Sequence, residues 1–293
     1  MPPVGGQNKN IRFLKELEKY LVGKGVLSAL SEAEALILFF SRMTRPEFYA
    51  GLKEISPSEK KKILSAAIKR GRGVPSGHIT GEAYFCGHRF FVNRHVLTPR
   101  PETELLVDET LKILGTYLDE EAPEILDLGT GSGCIAASLT IAYPKGRMTA
   151  LDCSSKALSL AHKNMQRLKL SKKIRLVKSY FFDAFKGKSI HRWDVIVSNP
   201  PYVPAEDWKA LPREVQREPK LALLGGKKGL GAVRQILKDV PFYLKKPGWV
   251  ILEIGKGQSK ILIKELGSNK VFSRVRLVKD LAGIDRILIA QHG

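Results

Sequence analysis

Apolar positions in the first part of the chain recur at helical spacing. Ile11, Leu14, Leu17 and Leu21 fall three or four apart, on one helix face. Ser31 followed by Glu34 reads as a capping box opening the apolar run Ala35 to Phe40. Ser56-Pro57-Ser58-Glu59 starts a further helix that runs to about Lys69. Together these pieces predict a small helical bundle over residues 1–72. The texture then changes. Gly71, Gly73, Pro75, Gly77 and Gly81 punctuate a linker, residues 73–103, and Tyr84 to Val92 reads as a β-hairpin turning near Gly87. Thr103 is placed to cap a helix from Glu104 to Leu118. From residue 124 onward, short β runs alternate with helical stretches. Strands are predicted at 124–127, 148–152, 174–178, 194–198, 249–254, 273–279 and 286–290, with helices between them at 155–169, 229–243 and 257–266. That alternation predicts an α/β fold: a seven-stranded, Rossmann-like, doubly wound sheet over residues 104–293, preceded by the bundle.

Composition narrows the class. With 43% hydrophobic and 27% charged residues the chain can bury a core, and wholesale disorder is excluded. No apolar run reaches the roughly 18–20 residues that span a bilayer. The first twenty residues lack a signal-peptide core and transit-peptide composition. Cys86, Cys134 and Cys153 are odd in number and far apart, which fits a reducing, cytoplasmic setting and no zinc site. Charge adds a question: Lys and Arg exceed Asp and Glu by 49 to 29, a net +20, of which +15 lies in residues 111–293. Such a surplus points to an anionic partner such as nucleic acid or ribosome; a general lysine bias on a solvated surface is the plainer alternative.

Two loops carry chemistry. Glu124 to Ala136 reads as a strand, the glycine-rich turn Gly129-Thr130-Gly131-Ser132-Gly133, and a helix start. Alternate glycines let a backbone turn sharply and approach a ligand, beyond what a tight turn alone requires. Ala136 stands where a dinucleotide fingerprint places its third glycine, so the loop leaves NAD and other adenosine cofactors open. Asp152 ends the next strand, where a carboxylate can bind a ribose diol or cap the helix that follows. The second loop is Asn199-Pro200-Pro201-Tyr202, at the carboxyl end of strand 194–198. Two prolines cannot extend a sheet and fix a rigid loop where open α/β sheets bind ligands. Asn199 offers an amide carbonyl, Pro200 a backbone carbonyl free of strand pairing, and Tyr202 a flat ring. This set suits a planar NH2 group; ending the strand is its plainer use.

The two loops together resemble those of S-adenosylmethionine-dependent methyltransferases acting on a planar amine or amide. Val96-Leu97-Thr98-Pro99-Arg100-Pro101-Glu102-Thr103-Glu104, Glu218-Pro219, Gly225-Gly226, Leu252-Glu253-Ile254-Gly255 and Asp280 to Arg286 narrow the resemblance to the peptide chain release factor glutamine methyltransferases, from about Arg70 to the C-terminus. The resemblance implies methylation of the side-chain nitrogen of glutamine in a release factor's Gly-Gly-Gln loop, in support of translation termination. Recognition of such a partner needs shape beyond three residues, and the helical bundle is its expected reader. The resemblance places Gly129, Thr130, Gly131, Ser132 and Gly133 at the methionine end of the cofactor, Asp152 at the ribose and Phe181 against the adenine, with Asn199 at the cofactor–substrate junction. Asn199 and the Pro200 carbonyl would hold the glutamine NH2, with Pro201 beside them and Tyr202 packed on the amide plane. Two positions depart from the family pattern: Tyr180 stands for an acid before Phe181, with Asp183 a few residues on, and Lys228 stands where an acid is frequent.

An amide nitrogen is a poor nucleophile, yet its proton becomes acidic as methylation proceeds, so no strong base is demanded. The six histidines are accordingly scattered. Rival readings are an adenine-specific DNA methyltransferase, a ribosomal RNA or ribosomal protein methyltransferase, and a non-catalytic nucleotide- or RNA-binding module. About ninety residues follow Tyr202, and the remaining strands and helices account for most of them. Direct nucleic-acid binding is therefore not expected, whatever the +20 suggests, and neither is a membrane or a metal. Gly5-Gly6-Gln7 repeats the target tripeptide, by coincidence.

Overall fold

The computed structural model describes residues 8–118, 122–187, 191–268 and 271–293, so Gly5-Gly6-Gln7 lies outside the described residues. Two compact units are present: residues 1–82 with 212–217, and residues 83–211 with 218–293.

Among the described residues the first unit holds five α-helices: α1 (Lys9–Val22), α2 (Ala29–Ser41), α3 (Arg45–Tyr49), α4 (Pro57–Gly71) and α5 (Ser76–Thr80). Leu14, Leu17, Leu21, Leu36, Ile37, Phe48 and Ile63 form its core. At roughly 1.5–3 kcal/mol per fully buried large aliphatic side chain, this seam holds the bundle together. The start of α2 differs from expectation. The helix opens at Ala29, because Ala29, Ala33, Leu36 and Ile37 share one buried face. Ser31 donates instead to the Ser28 carbonyl (3.0 Å), and the buried Glu34 carboxylate pairs with Arg45 (2.7 Å). Capping boxes do form at Thr44/Glu47 and at Ser56/Glu59, the latter where the sequence predicts a helix start. Within the same unit the buried Arg70 guanidinium bridges Glu32 and Glu214, which fastens segment 212–217 to the helices.

The second unit begins with the hairpin β1 (Glu82–Phe85) and β2 (His88–Phe91). Its turn residues Cys86 and Gly87 both have positive φ, +46° and +73°, as a two-residue hairpin turn requires. Then follow α6 (Glu104–Tyr117), β3 (Glu124–Leu128), α7 (Cys134–Ala142), β4 (Arg147–Asp152), α8 (Ser155–Arg167), β5 (Ile174–Lys178) and β6 (Trp193–Ser198). The chain continues through α9 (Lys220–Leu223), α10 (Gly231–Tyr243), β7 (Leu244–Glu253), α11 (Ser259–Gly267), β8 (Phe272–Lys279) and β9 (Asp285–His292). Seven strands form one sheet in the order β5-β4-β3-β6-β7-β9-β8, with β9 antiparallel between β7 and β8.

Side chains alternate across this sheet. Ile125, Val195 and Ile251 pack with α6 and α7 on one face; Leu126, Ile196 and Val250 pack with α10 and α11 on the other. Burial on both faces explains why the central strands read as continuous apolar runs. The strand order reverses at β3, whose neighbours are β4 and β6. An open sheet leaves its crevice at that reversal, at the carboxyl ends of the strands.

Candidate active site

Both chemistry-bearing loops meet at this crevice. Leu128 and Ser198 are paired neighbours at the ends of β3 and β6, and Ser198 Oγ donates to the Leu128 carbonyl at 2.7 Å. The glycine turn therefore leaves β3 beside the start of Asn199-Pro200-Pro201-Tyr202. Between them opens a cavity of about 880 Å³, inside the size range of small-molecule sites.

The turn is held from below. The Gly129 and Thr130 amides donate to the Leu151 carbonyl at 2.9 and 2.8 Å, and Thr130 Oγ1 donates to Asp127 at 2.6 Å. Gly131 has φ +56° and its open side meets no side chain, so the backbone itself fronts the cavity. Gly133, at φ +81°, has another use: a Cβ there would sit 2.3 Å from Met165 Cε, so its bareness lets α8 pack closely. Gly129, Thr130, Gly131 and Ser132 line the cavity; Gly133 does not.

Asp152 lines the cavity at the end of β4. One carboxylate oxygen accepts from the Gly131 amide (2.9 Å) and the other from Ser154 (2.8 Å). Burial raises its pKa, offset by those two amides. Capping of α8 falls to Ser154, whose hydroxyl accepts from the Ala157 amide, so the Asp152 carboxylate stands at the cavity wall without that duty. Phe181 also lines the cavity, half-buried, with a left-handed φ of +42° unusual for an aromatic residue. Tyr180 is largely exposed, and Asp183 pairs with Lys186 at 2.5 Å. Phe182 points into the core and stacks on Tyr243.

Asn199, Pro200 and Pro201 line the cavity, whereas Tyr202 lies outside that lining. The Tyr202 hydroxyl donates to Glu253 (3.0 Å), and its ring edge closes on Gly255. The Glu253 carboxylate, buried at the end of β7, also accepts from Thr103 Oγ1 (2.6 Å), and Thr103 Oγ1 accepts from Asn199 Nδ2 (3.1 Å). Thr103 thus does not cap α6: its hydroxyl is committed to this network, and no side-chain bond closes that helix start. Among the described residues no donor reaches Asn199 Oδ1 or the Pro200 carbonyl.

The loop is braced from behind by bare backbone. The Val203 and Gly225 amides exchange bonds with the Leu223 and Val203 carbonyls (2.8 and 2.9 Å), and Gln258 Nε2 donates to the Tyr202 carbonyl. A Cβ on Gly225 would lie 2.4 Å from the Pro201 carbonyl. Lys228 is exposed and gives its carbonyl to Gln258. Glu218, fully buried, accepts from the Thr98 amide (2.9 Å) and from Arg100, fixing the segment that carries Pro99 and Arg100 along the cavity.

These residues fit an adenosine cofactor with a charged tail. The bare backbone of the glycine turn, a carboxylate at the end of β4 and an aromatic wall at Phe181 line one cavity. No cluster that could hold a metal occurs among the described residues, and no helix among them is long and apolar enough to cross a membrane. Arg100, Thr103, Glu218 and Glu253 were not singled out as site residues by sequence reasoning. Their segments stood out in the sequence; a buried polar network, however, exists only once distant segments meet.

Comparison with known proteins agrees. The family model "Methyltransferase small domain" matches residues 104–216. The release factor glutamine methyltransferase of Aquifex aeolicus (strain VF5) is 36% identical over 264 residues, which cover 89% of this chain and 90% of that protein. The Rhodopirellula baltica protein of the same name is 35% identical, covering 96% and 95%. Among solved structures, the hMettl16 catalytic domain in complex with the MAT2A 3'UTR hairpin 6 aligns with a TM-score of 0.56 over 80% of this chain and 82% of that one; at 18% identity the likeness is one of fold. With a methyltransferase sheet, a cavity at its reversal point and relatives of this identity over nearly the whole chain, the protein belongs to the release factor glutamine methyltransferase family.

Proposed function

We propose that this chain methylates the side-chain amide nitrogen of the glutamine in the Gly-Gly-Gln loop of peptide chain release factors, in the cytoplasm, with S-adenosylmethionine as donor. The observation that carries this reading is the pair of free acceptors, Asn199 Oδ1 and the Pro200 carbonyl, on a rigid loop beside the glycine turn. When bound, S-adenosylmethionine supplies a methyl group already activated by its sulfonium. Gly129, Thr130, Gly131 and Ser132 would hold the methionine end, Asp152 the ribose hydroxyls and Phe181 the adenine face.

The protein's own part is positioning. Two acceptors take the two amide hydrogens and fix the direction of the nitrogen lone pair. They also stabilise positive charge as it develops on that nitrogen. Alignment of this kind contributes on the order of 7–11 kcal/mol at best. The prolines keep the acceptors from drifting with substrate. Tyr202 stiffens the loop through Glu253, and packing of its ring on the substrate amide remains part of the proposal. The helical unit is the reader of the release factor, and the basic surface steers an anionic partner.

The test offers purified protein labelled cofactor together with release factor, ribosomes and DNA, followed by nuclease or protease treatment. Label that protease removes from release factor supports the reading. Label that nuclease removes, from DNA or ribosomal RNA, overturns it.

A further inference from the structure

We propose that Glu253 and Thr103 are positioning residues that set the polarity of the Asn199 amide, so that its carbonyl oxygen rather than its own NH2 faces the substrate nitrogen. The inference rests on the reading of Asn199 as a substrate acceptor and adds what makes it one.

An asparagine side chain has two ends of nearly equal shape and opposite hydrogen-bonding character. Turned one way it accepts from an incoming NH2; turned the other it opposes donor with donor. Nothing in a loop of Asn-Pro-Pro-Tyr chooses between the two. The choice follows from a proton inventory across three segments. Glu253, at the end of β7, is 1% exposed. Its two oxygens receive the hydroxyls of Tyr202 at 3.0 Å and Thr103 at 2.6 Å. A hydroxyl carries a single proton. Thr103 spends it on Glu253, so only lone pairs remain toward Asn199, whose Nδ2 lies 3.1 Å away. The amide nitrogen is drawn to Thr103 and Oδ1 is left for the cavity that Asn199 lines.

The position of Thr103 supports a dedicated use. It closes the turn Pro101–Thr103 immediately before α6, where its hydroxyl could cap the helix, and it is buried and committed to Glu253 instead. A buried carboxylate is costly unless its oxygens are satisfied, and an apolar residue would pack against Tyr202 more cheaply. What an apolar residue cannot do is hold the direction of a hydroxyl.

Three single variants separate direction from packing. Thr103→Ser keeps the proton and the lone pairs. Thr103→Val keeps the shape and loses both. Glu253→Gln can present a donor to Thr103 and so reverse the relay. Cofactor affinity is measured by calorimetry, and kcat and KM by methyl transfer to whichever NH2 acceptor the parent protein modifies, so a wrong assignment of the release factor leaves the comparison standing. We expect Thr103→Ser within about threefold of the parent, and Thr103→Val and Glu253→Gln about 100-fold lower in kcat with KM and cofactor affinity little changed. A second arm survives a misfolded Thr103→Val. In Glu253→Gln combined with Asn199→Asp, the introduced amide donates to Thr103, and Thr103 donates to the introduced carboxylate. This pair should exceed Asn199→Asp alone by about tenfold. The proposal is overturned by parental turnover in Thr103→Val, by equal losses in Thr103→Ser and Thr103→Val, or by a pair no better than Asn199→Asp alone.

Discussion

At the scale of single residues, the two loops that meet at the cavity were legible in the sequence and the groups that hold them were not. Asn199 and Gly131 are visible in sequence because prolines and glycines mark unusual backbone locally. Glu253 looked like the end of a strand and Thr103 like a helix cap, since either role is consistent with neighbours in sequence. Asn199 brings a free acceptor to the cavity, so Asn199→Ala should abolish methyl transfer while cofactor affinity stays within about threefold. Normal turnover by that variant would remove Asn199 from the mechanism. Asp127 makes a separate prediction. Complete burial pushes its carboxyl up to about 7, although the Thr130 hydroxyl pulls the other way. An unfolded aspartate titrates near 4, as a rough reference. Between about 4 and 7 the folded chain keeps a proton that the unfolded chain has lost. The stabilisation is full below about 4 and is lost as pH rises through 7. Asp127→Asn cannot titrate, and its carbonyl can still accept from Thr130. Thermal unfolding from pH 5 to 8 should therefore cost the parent roughly 1–3 kcal/mol more than this variant. Parallel pH curves would contradict the assignment.

At the scale of elements, the alternating pattern located the strands of the sheet, and the misses have physical causes. The strand β7 begins at Leu244, before Pro247 and Gly248, two residues that argue against a strand when read locally. Sheet pairing of Leu244 with Trp193 overrides that signal. The helix α2 begins ahead of its apparent capping box because a buried apolar face outweighs a cap worth about 1 kcal/mol. The short helices α3 and α5 are too brief to show a period. One element-level interaction is testable at Gly225. Its missing Cβ leaves room for the carbonyls of Pro201 and Gly229, each 2.4 Å from where that atom would stand. Backbone cannot swing aside as a side-chain tip can. Gly225→Ala should lower stability by about 1–3 kcal/mol. It should also reduce kcat more than tenfold by displacing the acceptor loop. A variant with parental kcat would show that the brace does not set the loop.

At the scale of the whole molecule, fold class and helical start were readable from periodicity, while the use of the charge was not. The +20 is a property of composition, and composition does not say which face it lies on. If it steers an anionic release factor, raising ionic strength from about 50 to 300 mM should lower kcat/KM at least threefold while kcat holds, because screening acts on encounter. A salt-insensitive kcat/KM would identify a lysine-rich background without a steering role. The substrate itself is the central claim, and fragmentation mass spectrometry of release factor after incubation with protein and S-adenosylmethionine tests it most directly. The predicted result is one added methyl group on the side-chain nitrogen of the glutamine in Gly-Gly-Gln, absent with Asn199→Ala. A methyl group on any other residue, or on nucleic acid with release factor unmodified, would contradict it.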